Sequence, residues 1–189
     1  MALALLVLVG GMAMSGCDRE NGVPPQPAAN NESQAGAPKR YSIDRSHAGA
    51  TLPTNAVRNE QGQAAHLADL SGKPIILNLW ATWCGPCVEE LPTLNRLAAA
   101  TSTRAHIIGL SQDIGDDGHG PREFLAARGW GNIRSWHDPD NAIGLVYGGG
   151  LPTTILFDAT GHEVARVIGP LDWTGAEAAA LLAQAGAAI

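Results

Sequence analysis

Two cysteines separated by two residues, in Trp83-Cys84-Gly85-Pro86-Cys87, are the clearest chemical feature of this 189-residue chain. A thiol pair at this spacing can cycle between dithiol and disulfide, provide half of a metal site, or form a purely structural crosslink. Local context favours the first. The pair lies between an apolar run and an amphipathic segment, which puts Cys84 at the start of a helix. Free backbone N–H groups and the positive end of the helix dipole stabilise a thiolate there. Cys87, one turn further in, is close enough to close a short disulfide and is shielded from solvent. In this reading Cys84 is the attacking nucleophile and Cys87 the resolving thiol.

The elements that must hold this pair can be read from the pattern. Pro74 to Trp80 is nearly continuous apolar residue, as expected of a strand buried on both faces. After Cys84, the residues Val88, Leu91, Leu94, Leu97 and Ala98 recur on one face of a helix, and Pro92 inside it should bend it. Ala105 to Ser111 predicts a second buried strand. Pro121 opens a helix that ends at Gly129. A short strand near Ile133 to Trp136 and a short helix near Asn141 to Tyr147 follow. Thr153 to Phe157 and Glu163 to Ile168 form a hairpin about Asp158-Ala159-Thr160-Gly161, and an Ala-rich helix spans Trp173 to Ala187. The order predicts an α/β fold, with helices flanking a mixed central sheet.

Composition narrows the function. Apolar residues make up 45% and charged residues 16%, enough for a packed core. A net charge of −6 with dispersed Lys and Arg argues against a nucleic-acid surface. The six histidines are scattered, none at metal-ligand spacing with another, and His119 reads as solvated loop. No metal and no cofactor beyond a Cys84–Cys87 disulfide is implied.

Before the folded part, Ala2 to Met14 is an unbroken apolar run, too short at ~1.5 Å per residue to span a bilayer but suited to a signal peptide. Residues 1–16 are therefore expected to be a leader of lipoprotein type. The run ends in Met14-Ser15-Gly16-Cys17, which resembles a lipobox with Cys17 as the acylated residue; the alternative is a plain secretory signal and an incidental cysteine. No Lys or Arg precedes Arg19, which fits a start further upstream or an uncleaved anchor. Residues 17–40, rich in Pro, Asn, Gln and Ser, read as a disordered tether, and 41–189 as the folded domain.

The stretch Asn78-Leu79-Trp80-Ala81-Thr82-Trp83-Cys84-Gly85-Pro86-Cys87, with Glu90 and Pro92, resembles the TlpA/ResA branch of the thioredoxin superfamily. Gly150-Leu151-Pro152-Thr153-Thr154 resembles that family's cis-proline loop, and Gly109-Leu110-Ser111-Gln112-Asp113 its segment after a central strand. The resemblance implies a thioredoxin-like fold and an extracytoplasmic, membrane-tethered thiol:disulfide oxidoreductase. It implies substrate contacts at Trp83, Leu151, Pro152 and Thr153, Pro152 being cis. Glu90 is implied as the acid that takes up the Cys87 proton, one turn along the same helix face; the duller reading is an acid favouring the first helical turn, which suits Glu89 equally. Thioredoxins proper keep a buried Asp where this chain has Asn78, which strengthens the case for Glu90.

The Gly-Pro dipeptide resembles that of reducing thioredoxins. A reductant in an oxidising compartment needs electrons delivered across the membrane, so the implied partners are exported proteins with disulfides and a membrane donor of the DsbD/CcdA type. The implied place is the periplasmic face of the inner membrane, and the implied process is cytochrome c maturation or copper-site assembly of terminal oxidases. A rival reading makes Cys84 and Cys87 soft ligands of a Cu(I) chaperone. A peroxidase reading fails on spacing, since Thr82 lies two residues before Cys84 and the Pro that a peroxidase motif requires is absent.

Overall fold

The computed structural model describes residues 39–115 and 119–188. The leader, Cys17 and most of the tether lie outside these residues. Eight strands among the described residues form one sheet: β1 (Ser42–Asp44), β2 (Val57–Arg58), β3 (Ala64–Ala65), β4 (Ile75–Trp80), β5 (His106–Ser111), β6 (Arg134–His137), β7 (Thr153–Phe157) and β8 (Glu163–Ile168). Their spatial order is β1-β8-β7-β4-β5-β6-β2-β3. β4, β5 and β6 run parallel, whereas β7, β8 and β1 add antiparallel on one side and β2 and β3 on the other. Among the described residues four α-helices and a 3-10 turn (Leu67–Leu70) complete the fold: α1 (Gly85–Thr101), α2 (His119–Ala127), α3 (Ala142–Val146) and α4 (Ala176–Gln184). This is the thioredoxin-like arrangement, a mixed sheet flanked by helices.

β4 is buried at all six positions, and its side chains alternate between two cores. Ile76 and Trp80 pack with Leu91, Leu94 and Leu97 of α1 and with Leu181 and Leu182 of α4. Ile75, Leu77 and Leu79 pack on the opposite face with Ile108, Trp136, Ile155 and Ile143 of α3. Burial of each such side chain is worth about 1.5–3 kcal/mol, so the strand that leads into the cysteine loop is firmly held from both faces. The hairpin turn has its own local cause. Asp158 Oδ1 accepts from the backbone N–H groups of Thr160 and His162, and Gly161 takes φ 82°.

Several expectations need correction. The last helix is shorter than Trp173 to Ala187, because Trp173 turns into the core and Gly175 becomes its N-cap. α2 starts at His119, two residues before Pro121, so His119 is an exposed residue of a helical first turn and not of a loop. β1, β2 and β3 were not expected. They are two or three residues long, below the length at which alternation is readable. Pro92 lies inside α1, which continues as helix to Thr101.

Candidate redox site

Cys84 is the N-cap of α1, with φ −86° and ψ 101°. Its Sγ accepts from the Cys87 backbone N–H at 3.3 Å, and the two residues form a disulfide with Cα atoms 5.3 Å apart. Pro86 in the first turn removes an N–H that would have had no helical partner. Cys87 is fully buried and Cys84 is 6% exposed, so the outer sulfur is the more accessible of the two. Beside them Trp83 is 71% exposed, an unusual state for so large an apolar ring. The peptide bond between Leu151 and Pro152 is cis. Pro152 and Thr153 are buried and Leu151 is half-buried, packed against both cores.

Glu90 is the unusual acid. It is 3% exposed on α1, whose neighbouring buried residues Leu91, Leu94 and Leu97 belong to an apolar core. Its Oε1 accepts from Asn78 Nδ2 at 2.6 Å, and its Oε2 accepts from Leu171 N at 3.0 Å and from Trp173 Nε1 at 3.3 Å. Burial pushes its pKa up to about 7, although the donors from Leu171, Asn78 and Trp173 pull the other way. An open cleft of about 200 Å³, lined by Arg40, Glu89, Glu90, Thr93 and Leu171, lies beside this residue. Glu89, in contrast, is exposed and paired with Arg40 at 2.8 Å. Neighbouring acids on one helix therefore have opposite surroundings. Burial leaves Glu90 poised to change protonation near neutral pH.

Asn78 also donates to Thr154 Oγ1 at 2.9 Å, its register partner on β7, while its Oδ1 is buried with no partner. The helix start, β4 and the segment 171–173 thus converge on Glu90. Sequence reading placed Glu90 beside the cysteines but supplied none of these donors except the bare presence of Asn78. Asp113 stood in the segment 109–113 without a role; its carboxylate holds Thr82 in the cysteine loop. Its signal was available: an acid just past the C-terminal end of a buried parallel strand, the edge where α/β sites gather. Among the described residues, no group of three or more His, Cys, Asp or Glu side chains is arranged to hold a metal ion.

A disulfide at a helix start, an exposed ring and a buried acid of raised pKa can together carry out thiol–disulfide exchange with another protein. Comparison with known proteins agrees with this chemistry. The family model described as Redoxin matches residues 47–182. The thiol-disulfide oxidoreductase ResA of Bacillus thuringiensis is 33% identical over 122 residues, 64% of this chain and 69% of that protein. The thiol:disulfide interchange protein HelX of Rhodobacter capsulatus is 38% identical over 107 residues, 55% of this chain and 57% of that protein. A solved Chlorobium tepidum structure, named for the thiol:disulfide interchange protein DsbE, superposes with TM-score 0.62 at 25% identity, covering 74% of this chain and 98% of that one.

Proposed function

This chain belongs to the redoxin family, and from that premise we propose that it is an exported, membrane-tethered reductase of protein disulfides. Thiol:disulfide oxidoreductase is its activity; the direction, place and clients are the proposal. The observation that carries it is the Cys84–Cys87 disulfide at the start of α1, with Gly85-Pro86 between the sulfurs and Trp83 exposed beside them.

In the reducing direction the Cys84 thiolate attacks one sulfur of a client disulfide. That S–S bond breaks, a Cys84–client bond forms, and the other client sulfur leaves as thiolate. Cys87 then gives up its proton to Glu90 and attacks Cys84 Sγ. The mixed disulfide breaks, the Cys84–Cys87 bond forms, and the client has gained two electrons. Glu90 suits the proton step because a group of pKa near 7 can take up and release a proton at neutral pH. Trp83, Leu151, Pro152 and Thr153 border the site as the surface that receives the client.

Ala2 to Met14 and Cys17 support export and a lipid anchor at the periplasmic face of the inner membrane. Electrons then arrive from a membrane donor of the DsbD/CcdA type. The clients are exported proteins whose thiols must be free for haem attachment in cytochrome c maturation or for copper-site assembly in an oxidase.

Trapping tests the reading. Cys87→Ser is expected to accumulate mixed disulfides on Cys84 in cells, and mass spectrometry of the captured partners names the pathway. Cys84→Ser is expected to capture none and to lose turnover of a small-molecule disulfide. Equal turnover by Cys84→Ser and the unaltered protein would refute the proposal.

A further inference from the structure

The loop that carries Cys84 is held from behind by Asp113. This residue lies two positions past β5 and is only 8% exposed. Its Oδ1 accepts from the Thr82 hydroxyl at 2.7 Å, and its Oδ2 accepts from the Thr82 backbone N–H at 3.1 Å. Asp113 is itself pinned. Ser111 Oγ donates to Oδ2 at 2.6 Å and accepts from the Asp113 N–H at 3.1 Å. His137 Nε2 lies 2.8 Å from the Asp113 carbonyl oxygen, to which it donates. The acceptor is therefore fixed by β5 and β6 before it meets the cysteine loop.

Thr82 matters because of the turn it occupies. The Cys84 N–H donates to the Ala81 carbonyl at 3.1 Å, closing a tight turn over residues 81–84 with Thr82 and Trp83 at its centre. A central N–H of such a turn has no partner within it. Asp113 supplies one, and adds a second bond to the side chain. The turn in question sets the direction in which Cys84 enters α1.

We propose that Asp113 is a positioning residue for thiol–disulfide exchange: through Thr82 it fixes the 81–84 turn and so holds Cys84 Sγ against the free N–H groups of the α1 start. The inference rests on the reading of Cys84 as the nucleophile. Positioning and charge make opposite forecasts. A nearby carboxylate acting only by its charge disfavours the thiolate, so its removal would make Cys84 more acidic. A released turn makes Cys84 less acidic, because stabilisation by a helix start falls off within its first turn.

The test is the pH profile of Cys84 alkylation by iodoacetamide in the reduced full chain, resolved by peptide mass spectrometry, for Asp113→Ala, Asp113→Asn and Thr82→Val. Asp113→Ala is expected to slow Cys84 alkylation at pH 7 by about fivefold, the combined effect of losing both hydrogen bonds to Thr82. Its profile moves to higher pH. Asp113→Asn is expected to stay close to the unaltered protein, since the amide oxygen still accepts from Thr82 and Ser111 Oγ can accept from the amide N–H. Thr82→Val keeps the backbone bond and loses the hydroxyl bond, so its rate is expected to fall by about twofold. Circular dichroism checks that each variant folds. A profile for Asp113→Ala that is unmoved or moved to lower pH overturns the proposal, as does an Asn variant as impaired as the Ala variant. Should Asp113→Ala fail to fold, an unmoved profile for Thr82→Val overturns it. Unaltered protein whose Cys84 reacts no faster than an ordinary cysteine refutes the nucleophile reading instead, a separate result from any ranking of variants.

Discussion

Asn78 Nδ2 lies 2.6 Å from Glu90 Oε1, so a buried amide of β4 is joined directly to a buried carboxyl of α1. The amide's Oδ1 meanwhile has no partner. In the ionised state Glu90 receives an N–H from Asn78. When Glu90 binds a proton, reversal of the amide would turn that unpartnered oxygen toward the new O–H. The amide can therefore serve either protonation state, whereas the Asp of thioredoxins proper would set two carboxyls against each other.

Stability should depend on pH through Glu90. Its pKa is raised from the ordinary value of 4.5 to about 7 by burial. Between these values the unfolded chain has released the proton that the folded protein still holds, so rising pH favours unfolding. The stabilisation is fully present below about pH 4.5 and is lost as pH rises through about 7, on the order of 3 kcal/mol in all. Urea unfolding at pH 5, 6, 7 and 8 is expected to show the unaltered protein losing stability relative to Glu90→Gln along that series. A difference that stays constant with pH would rule this out.

Trp83 is expected to affect exchange and not folding. At 71% exposure it contributes little burial, so Trp83→Ala should change stability by less than about 0.5 kcal/mol. As an exposed aromatic anchor it should raise KM for a protein disulfide by roughly tenfold when removed. Thermal melts and steady-state kinetics on the same preparation check both. An unchanged KM would place the ring outside the client contact.

Leu94 probes the core beneath the site. It is fully buried among β4, α1 and α4 side chains, and Leu94→Ala is expected to cost about 2–5 kcal/mol. For a domain of this size that lowers Tm by about 5–15 °C. A fall of less than about 2 °C would show that α1 bears on the sheet far less than its burial implies.

Gly109 on β5 gives a sharper packing test. A Cβ there would come within 2.9 Å of Ile133 Cγ2 and 3.2 Å of Trp80 Nε1. Gly109→Ala is therefore expected to cost about 1–3 kcal/mol. Ile133→Ala removes the closest obstructing atom, so the double variant should lose less than the sum of the two single losses. Simple additivity in denaturant titrations would show that the contact is not the cause.

The residues that announce themselves in the chain are those whose surroundings are local. Cys84 and Cys87 are read from their spacing and from the strand and helix on either side, because a helix start stabilises a thiolate wherever the helix lies. β4, β5 and the β7–β8 hairpin were legible within a residue or two, since long apolar runs bounded by turn residues admit few other structures. The strands β1 to β3 were not: β1 is held by a partner remote in sequence, Ser42 by Ile168, and the paired β2 and β3 are two residues each, too short for alternation to show.

By itself, then, the amino-acid order determined the redox pair, the mixed α/β architecture and the family to which the chain belongs. Tertiary structure alone decided what surrounds those sulfurs. Glu90 gains its raised pKa from burial, against the opposing pull of the donors from Asn78, Leu171 and Trp173, and the cysteine loop gains its anchor from Asp113, 31 residues away from Thr82. The physical reason is one of range. Spacing along a helix or strand is a property of neighbours, whereas the dielectric around a carboxyl and the partner of a turn N–H are set by whichever distant segments packing brings alongside.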